Sequence, residues 1–317
     1  MIRVACIFCM MLIFPVSAWA QQCSGPIRMI VGLSAGGGLD AVARMLAQRF
    51  TEKFGETMIV ENKVGATGNI AAQFVAKAPH DGCTLIIRGN EHNVNPLIYS
   101  SAGYEGKDFD PVIRVLRGPA VLLASTNQPF KTLADMVRYA KANPGKLSYG
   151  TSGIGSANHV AMELFVQAAK IDVVHVPYKG AAPALADTAG GTIPLSMGSI
   201  AAAHAFITSG KVIALAVTGP KRWPTLPDVP TLVEAGYPSA VMENWNGIFT
   251  PAGTPLPLRE KLNREFRQIL EEPAIGERLL IQGFEPVGGN IEDLSRFMQE
   301  DERVSRKLMQ ALKLKVD

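Results

Sequence analysis

The chain has 317 residues, 47% of them hydrophobic, 19% charged and 7% aromatic. That length holds one large core or two ordinary ones, and the low charged fraction excludes a disordered, solvating polymer. A net charge of +3, from 31 basic and 28 acidic residues, leaves no excess to neutralise a phosphate backbone, so no nucleic-acid partner is expected.

Met1–Ala20 places Arg3 ahead of an apolar stretch from Val4 to Phe14, followed by Pro15 and Ala18-Trp19-Ala20. This order is that of a secretory signal peptide cleaved near Ala20, with an apolar core too short to span a bilayer. Cys6 and Cys9 leave with it, and Cys23 and Cys83 remain. In an oxidising compartment the alternatives are one disulfide and two unpaired cysteines that fill space. Each cysteine precedes an apolar run, and parallel pairing of those two runs would bring both to one sheet edge.

Strand and helix signals then alternate. A strand over Ile27–Leu33 runs through three glycines into a helix over Leu39–Phe54, stopped by Gly55. A strand at Met58–Glu61, a small-residue helix at Gly65–Lys77 and a strand at Thr84–Arg88 follow. Asn90 to Pro96, with His92, reads as polar loop structure, with cleft lining as the second choice. Val112–Ala124 is a long extended segment, and Leu133–Ala142 a helix ended by Asn143-Pro144-Gly145. The second half repeats the order: strands at Leu147–Tyr149, Val173–Val176, Ile193–Met197 and Val212–Val217, with helices at Ser156–Ala169 and Ala181–Thr188. A proline-rich stretch, Trp223 to Pro238, precedes a strand at Asn244–Thr250 and helices at Leu256–Leu270 and Ile291–Leu312. The pattern is α/β, with parallel sheets flanked by helices. Two lobes are expected: residues 21–120 plus 243–317, and residues 121–242, after a signal peptide at 1–20.

Four turns concentrate the chemistry. Ser34-Ala35-Gly36-Gly37-Gly38-Leu39-Asp40 leaves main-chain N–H groups unobstructed at a helix start, which suits an anion. It lacks both Gly-x-Gly-x-x-Gly and Gly-Lys-Ser/Thr, so nucleotide binding has little support. Gly65 to Asn69, with Thr67 and Asn69, and Lys179-Gly180-Ala181 repeat this logic. So does Gly150 to His159, which adds Ser152, Ser156 and His159. A serine esterase using Ser152 or Ser156 with His159 is a distant alternative, because Gly-x-Ser-x-Gly is absent and no acid is placed to orient His159. The five histidines (His80, His92, His159, His175 and His204) show no ligand spacing, so no metal or other cofactor is expected. Trp245 is read as core or hinge packing. Helix starts at the carboxyl edges of strands in two facing lobes form a binding cleft for a small anion.

On these residues the sequence resembles the Bug receptors, the extracytoplasmic substrate-binding proteins of tripartite tricarboxylate transporters. The motifs are Ile30 to Asp40, Glu61 to Ala66, Asp81 to Leu85, Lys107 to Val112, Ala140 to Gly150, Val176 to Gly180, Leu226 to Thr231 and Pro251 to Pro255. The resemblance implies a two-lobed Venus-flytrap fold and a periplasmic, monomeric, non-enzymatic receptor that delivers its ligand to membrane permease subunits. An orphan receptor feeding a sensory system is the nearest alternative. The ligand would carry carboxylates, as a di- or tricarboxylate, an amino acid or a nicotinate-like acid. One carboxylate would be held by Ser34, Ala35, Gly36, Gly37 and Asp40, with Ser152, Ser156, His159, Lys179, Gly180 and Ala181 closing on the remainder. There are three departures from the family pattern. Ser34 stands where proline is common. Cys83 stands where an aromatic residue is common, in keeping with a local pairing to Cys23. Gly198-Ser199 stands where many members carry an acid that would suit a ligand ammonium, which weighs against amino acids; Ser199 itself is taken as cleft-lining.

Overall fold

The computed structural model describes residues 23–312 and 315, so the signal-peptide segment lies outside the described residues. Two lobes are strung on one continuous sheet. In the first, β1 (Ile27–Val31) pairs in parallel with β2 (Met58–Asn62) and β3 (Thr84–Gly89). Side chains alternate across these strands. Met29, Val31, Leu85 and Ile87 pack against Val42, Leu46 and Phe50 of α1 (Gly38–Phe54) and against Leu262 and Phe266 of α8 (Leu256–Leu270). Ile30 and Ile86 face the other way, onto Ala71, Ala72 and Val75 of α2 (Asn69–Ala76).

The second lobe repeats this order. Here β5 (Ser148–Thr151) pairs in parallel with β6 (Val174–Pro177) and β7 (Leu195–Ser199). One face is covered by α4 (Leu133–Ala142) and α5 (Ala157–Ala169), the other by α6 (Ala181–Gly190) and α7 (Ile200–Thr208).

The sheets are mixed rather than mostly parallel. The 17-residue β4 (Phe109–Ser125) crosses from one lobe to the other, and β9 (Glu243–Pro251) comes back beside it, so the two run antiparallel. In the first lobe β9 also lies antiparallel to β3. In the second, the far end of β4 pairs antiparallel with β7 and with β8 (Val212–Val217). A chain that leaves a lobe and returns along its own path can pair only in this sense.

Three helices and a strand were not foreseen. The segment read as loop is α3 (Glu91–Ile98); α7, α9 (Pro273–Ile281) and β10 (Glu285–Gly288) also form. The last helix of the described residues, α10 (Ile291–Leu312), packs on α3 and β4 of the first lobe. Cys23 and Cys83 are joined, with Cα atoms 5.7 Å apart. The register that pairs Arg28 with Thr84 brings them together at the amino ends of β1 and β3.

Candidate functional site

Between the lobes lies a cleft of about 790 Å³, part of it open to solvent. It forms where helices begin. Gly37, Asn90, Ser156, Gly180 and Ser199, the residues that start α1, α3, α5, α6 and α7, all line it. The first turn of a helix has N–H groups without intrahelical partners and carries partial positive charge. At Gly37, Asn90 and Gly180 no side chain caps them. Ser156 Oγ accepts from the His159 amide and Ser199 Oγ from the Ala202 amide, each at 3.3 Å. Each hydroxyl keeps its own proton to donate into the cleft. No Lys, Arg or His is among the lining residues, so the attraction for an anion comes from main-chain dipoles.

Ser34, Gly37, Asp40, Thr67, Ser152, Ser156, Gly180, Ala181 and Ser199 stand together on the cleft wall. Asp40 is buried and its oxygens are occupied. Oδ2 accepts from the Gly36 amide (2.9 Å) and Arg44 Nε (3.0 Å), and Oδ1 from Asn62 Nδ2 (2.9 Å). Burial would raise its pKa, but these hydrogen bonds and the Arg44 charge outweigh that and hold it below the usual aspartate value. Asp40 therefore shapes the first turn and offers no free oxygen to a ligand.

Five of the expected site residues stand off the cleft wall. Ala35 and Gly36 are exposed on the outer side of the first turn, with the Gly36 amide spent on Asp40. The Lys179 side chain is exposed, and its carbonyl accepts from the Ser34 hydroxyl, which joins the two lobes at the cleft mouth. Asn69 is buried and accepts from Asn95 Nδ2 at 2.6 Å. The same Asn95 amide donates to the Thr67 carbonyl at 3.0 Å, which holds Thr67 at its left-handed φ of 49°. His159 lies beneath the second-lobe turn, where Nδ1 accepts from the Gly155 amide at 3.1 Å. Its ring is thereby engaged away from both serine hydroxyls, so the esterase pairing does not form.

Two glycines let the lobes meet. Gly180 has φ of +136°, and a Cβ there would lie 3.1 Å from Ser34 Oγ; Gly153 has φ of +131°, and a Cβ would lie 2.8 Å from Thr67 Oγ1. A side chain at either position would wedge the cleft mouth.

The wall also holds residues outside the expected set: Asn90, Glu91, Asn158, Asn244, Trp245, Asn246 and Phe284. Asn90, Asn158, Asn244 and Asn246 furnish it with amides, linked in part by Asn158 to Ser152 and Asn244 to Asn158, each at 3.5 Å. Trp245 combines both roles. Its indole donates to the half-buried Asp301 of α10 at 2.9 Å, and its backbone amide donates to Asn90 Oδ1 at 3.2 Å. His92 is a buried residue of α3, stacked on Phe249 at 4.6 Å between ring centroids, and does not line the cleft.

The sequence profile of tripartite tricarboxylate transporter family receptors matches residues 42–314. A relative from Pseudomonas sp. strain P51, described as a UPF0065 protein in the tcbD-tcbE intergenic region, is 35% identical, covering 88% of this chain and 84% of its own. Among solved structures, Rhodopseudomonas palustris Rpa4515 with adipate is 34% identical with a TM-score of 0.89, covering 92% of this chain and 98% of its own. MatC from the same organism, with bound malate, is 29% identical with a TM-score of 0.83, covering 93% and 99%. The chain is a two-lobed solute-binding receptor that belongs to the tripartite tricarboxylate transporter receptor family.

Proposed function

We propose that the cleft captures a small carboxylate-bearing solute in the periplasm and that the loaded receptor presents it to membrane permease subunits of a tripartite tricarboxylate transporter. The observation that carries this reading is the convergence of five helix starts on a cleft that no cationic side chain lines. A carboxylate there replaces the lost hydration of uncapped N–H groups with charge-assisted hydrogen bonds. The adipate and malate complexes of the two Rhodopseudomonas relatives support the ligand class. The signal-like Met1–Ala20 and the Cys23–Cys83 bond suit an exported protein, and among the described residues no helix is long and apolar enough to cross a membrane. We place the first lobe at residues 21–120 plus 243–317 and the second at 121–242, with the protein a monomer. It acts as a binder and not a catalyst, since the one histidine beside the cleft serines is spent on a backbone amide.

Thermal unfolding in the presence of mono-, di- and tricarboxylates tests this. An acid at a hundred times its Kd should stabilise the protein by about 2.7 kcal/mol. Gly37→Val should abolish that gain. Gly37 has φ of −77°, and a Cβ would meet nothing closer than the Ser34 carbonyl at 3.4 Å, so the fold tolerates valine at the cost of about 1 kcal/mol at the helix cap. Retained stabilisation in Gly37→Val would displace the site, and no response of the wild type to any acid would overturn the proposal.

A further inference from the structure

Asp40 and Glu91 are the only ionisable side chains among the cleft-lining residues, and they are not equivalent. Asp40 has both oxygens engaged, by Arg44, Asn62 and the Gly36 amide. Glu91, half-buried at the start of α3, spends only Oε1, on the Gly89 amide at 2.9 Å. Among the described residues nothing bonds its Oε2.

Other acceptors stand on the same wall. A Cβ built on Gly89 would lie 3.4 Å from Glu91 Oε2 and nearer still to the Trp245 carbonyl and to Asn246 Nδ2 (2.7 Å), so two acceptor oxygens and one amide donor flank one spot. Gly89 pairs with Asn246 in the β3–β9 ladder, and Asn244 shares that strand face. Asn244 is 9% exposed, and its Oδ1 has no partner. Glu91 Oε2, the Trp245 carbonyl and Asn244 Oδ1 thus put acceptors beside the start of α3, whereas the starts of α1, α5, α6 and α7 bring N–H and O–H donors.

We infer that Glu91 is a specificity-determining residue that receives an ammonium group on the ligand, so that the preferred solute is an amino-acid-type zwitterion and not a plain dicarboxylate. A second carboxylate placed against Glu91 meets like charge in a partly desolvated cleft, with no lysine or arginine to relieve it. An ammonium there makes a charge-assisted hydrogen bond to Oε2 and reaches the neighbouring carbonyl oxygens. The inference rests on the carboxylate-binding reading above.

Calorimetric titration of the processed protein with matched pairs, aspartate against succinate and glutamate against glutarate, tests it. In at least one pair the aminated acid should bind tenfold tighter or more, in line with a hydrogen bond to a charged group. Glu91→Gln should erase that ratio, weakening the aminated member and strengthening the dicarboxylate. Glutamine keeps an oxygen for the Gly89 amide, and the wild-type ratio is decisive even without the variant. Tighter binding of the unaminated acids, or a ratio unchanged in Glu91→Gln, overturns the inference and leaves the carboxylate reading standing. Absence of binding by any acid of either series overturns both.

Discussion

His159 and His175 are stacked beneath the second-lobe turn with ring centroids 3.9 Å apart, and each supports part of that turn. His159 takes the Gly155 amide on Nδ1, while His175 Nε2 lies 2.7 Å from Thr151 Oγ1, the hydroxyl that also accepts from the Gly153 amide. An imidazole that accepts a backbone N–H must be neutral at that nitrogen. Burial, reinforced by the neighbouring His175, pushes the His159 pKa down to about 3, and burial pushes His175 down to about 4. In the unfolded chain both titrate near 6.5. Below that value the unfolded state binds protons that the folded state refuses, so stability is full above pH 6.5 and falls as pH drops toward 4. Each imidazole contributes a slope of about 1.4 kcal/mol per pH unit at most. Denaturant melts between pH 7 and 4 should show this loss, and His159→Gln should lower the slope by one imidazole's share, leaving that of His175. A pH dependence unchanged in that variant would show that the buried ring is not its source.

At the scale of elements, the first-lobe strands carry the covalent tie and the cleft at opposite ends. Cys23–Cys83 joins the amino ends of β1 and β3, whereas the carboxyl end of β1 leads into Ser34 and that of β3 into Asn90. Closing a loop of 60 residues lowers the entropy of the unfolded chain by an amount worth about 4 kcal/mol. The double variant Cys23→Ser/Cys83→Ser should therefore melt at a markedly lower temperature and still bind its acid with unchanged affinity. Equal melting temperatures, or two free thiols in the non-reduced wild type, would contradict the tie. The parallel β1–β3 pairing that sets this geometry was accessible from two apolar runs, and so were α1, α5 and α8 from their apolar spacing. Glycine turns were readable as helix starts because that signal is local. The asparagine-rich α3 was not. Asn90, Asn93, Asn95 and Pro96 are turn formers by propensity, and the segment from Glu91 is helical here because two side-chain amides find distant partners, Asn93 on Asp301 and Asn95 on Asn69. For the same reason Asn244 and Asn246 escaped notice, since only the β3–β9 and β4–β9 registers bring them to the cleft.

Across the whole molecule, the lobes are joined by β4 and β9 and touch at the cleft mouth through Ser34 on Lys179 and through the bare faces of Gly153 and Gly180. Val94 and Ile98 of the first lobe also pack on Val160 of the second, and the Trp223 indole donates to the Leu280 carbonyl at 3.2 Å. A bound acid adds further bonds to both lobes at once and should hold the protein shut, and without it the lobes should open by rotation about the crossing strands. Solution X-ray scattering of the protein with and without the acid that stabilises it most examines this directly. The liganded profile should match the closed structure described here, and the ligand-free profile should have a larger radius of gyration. Identical profiles at saturating acid would contradict a receptor that works by closing on its ligand.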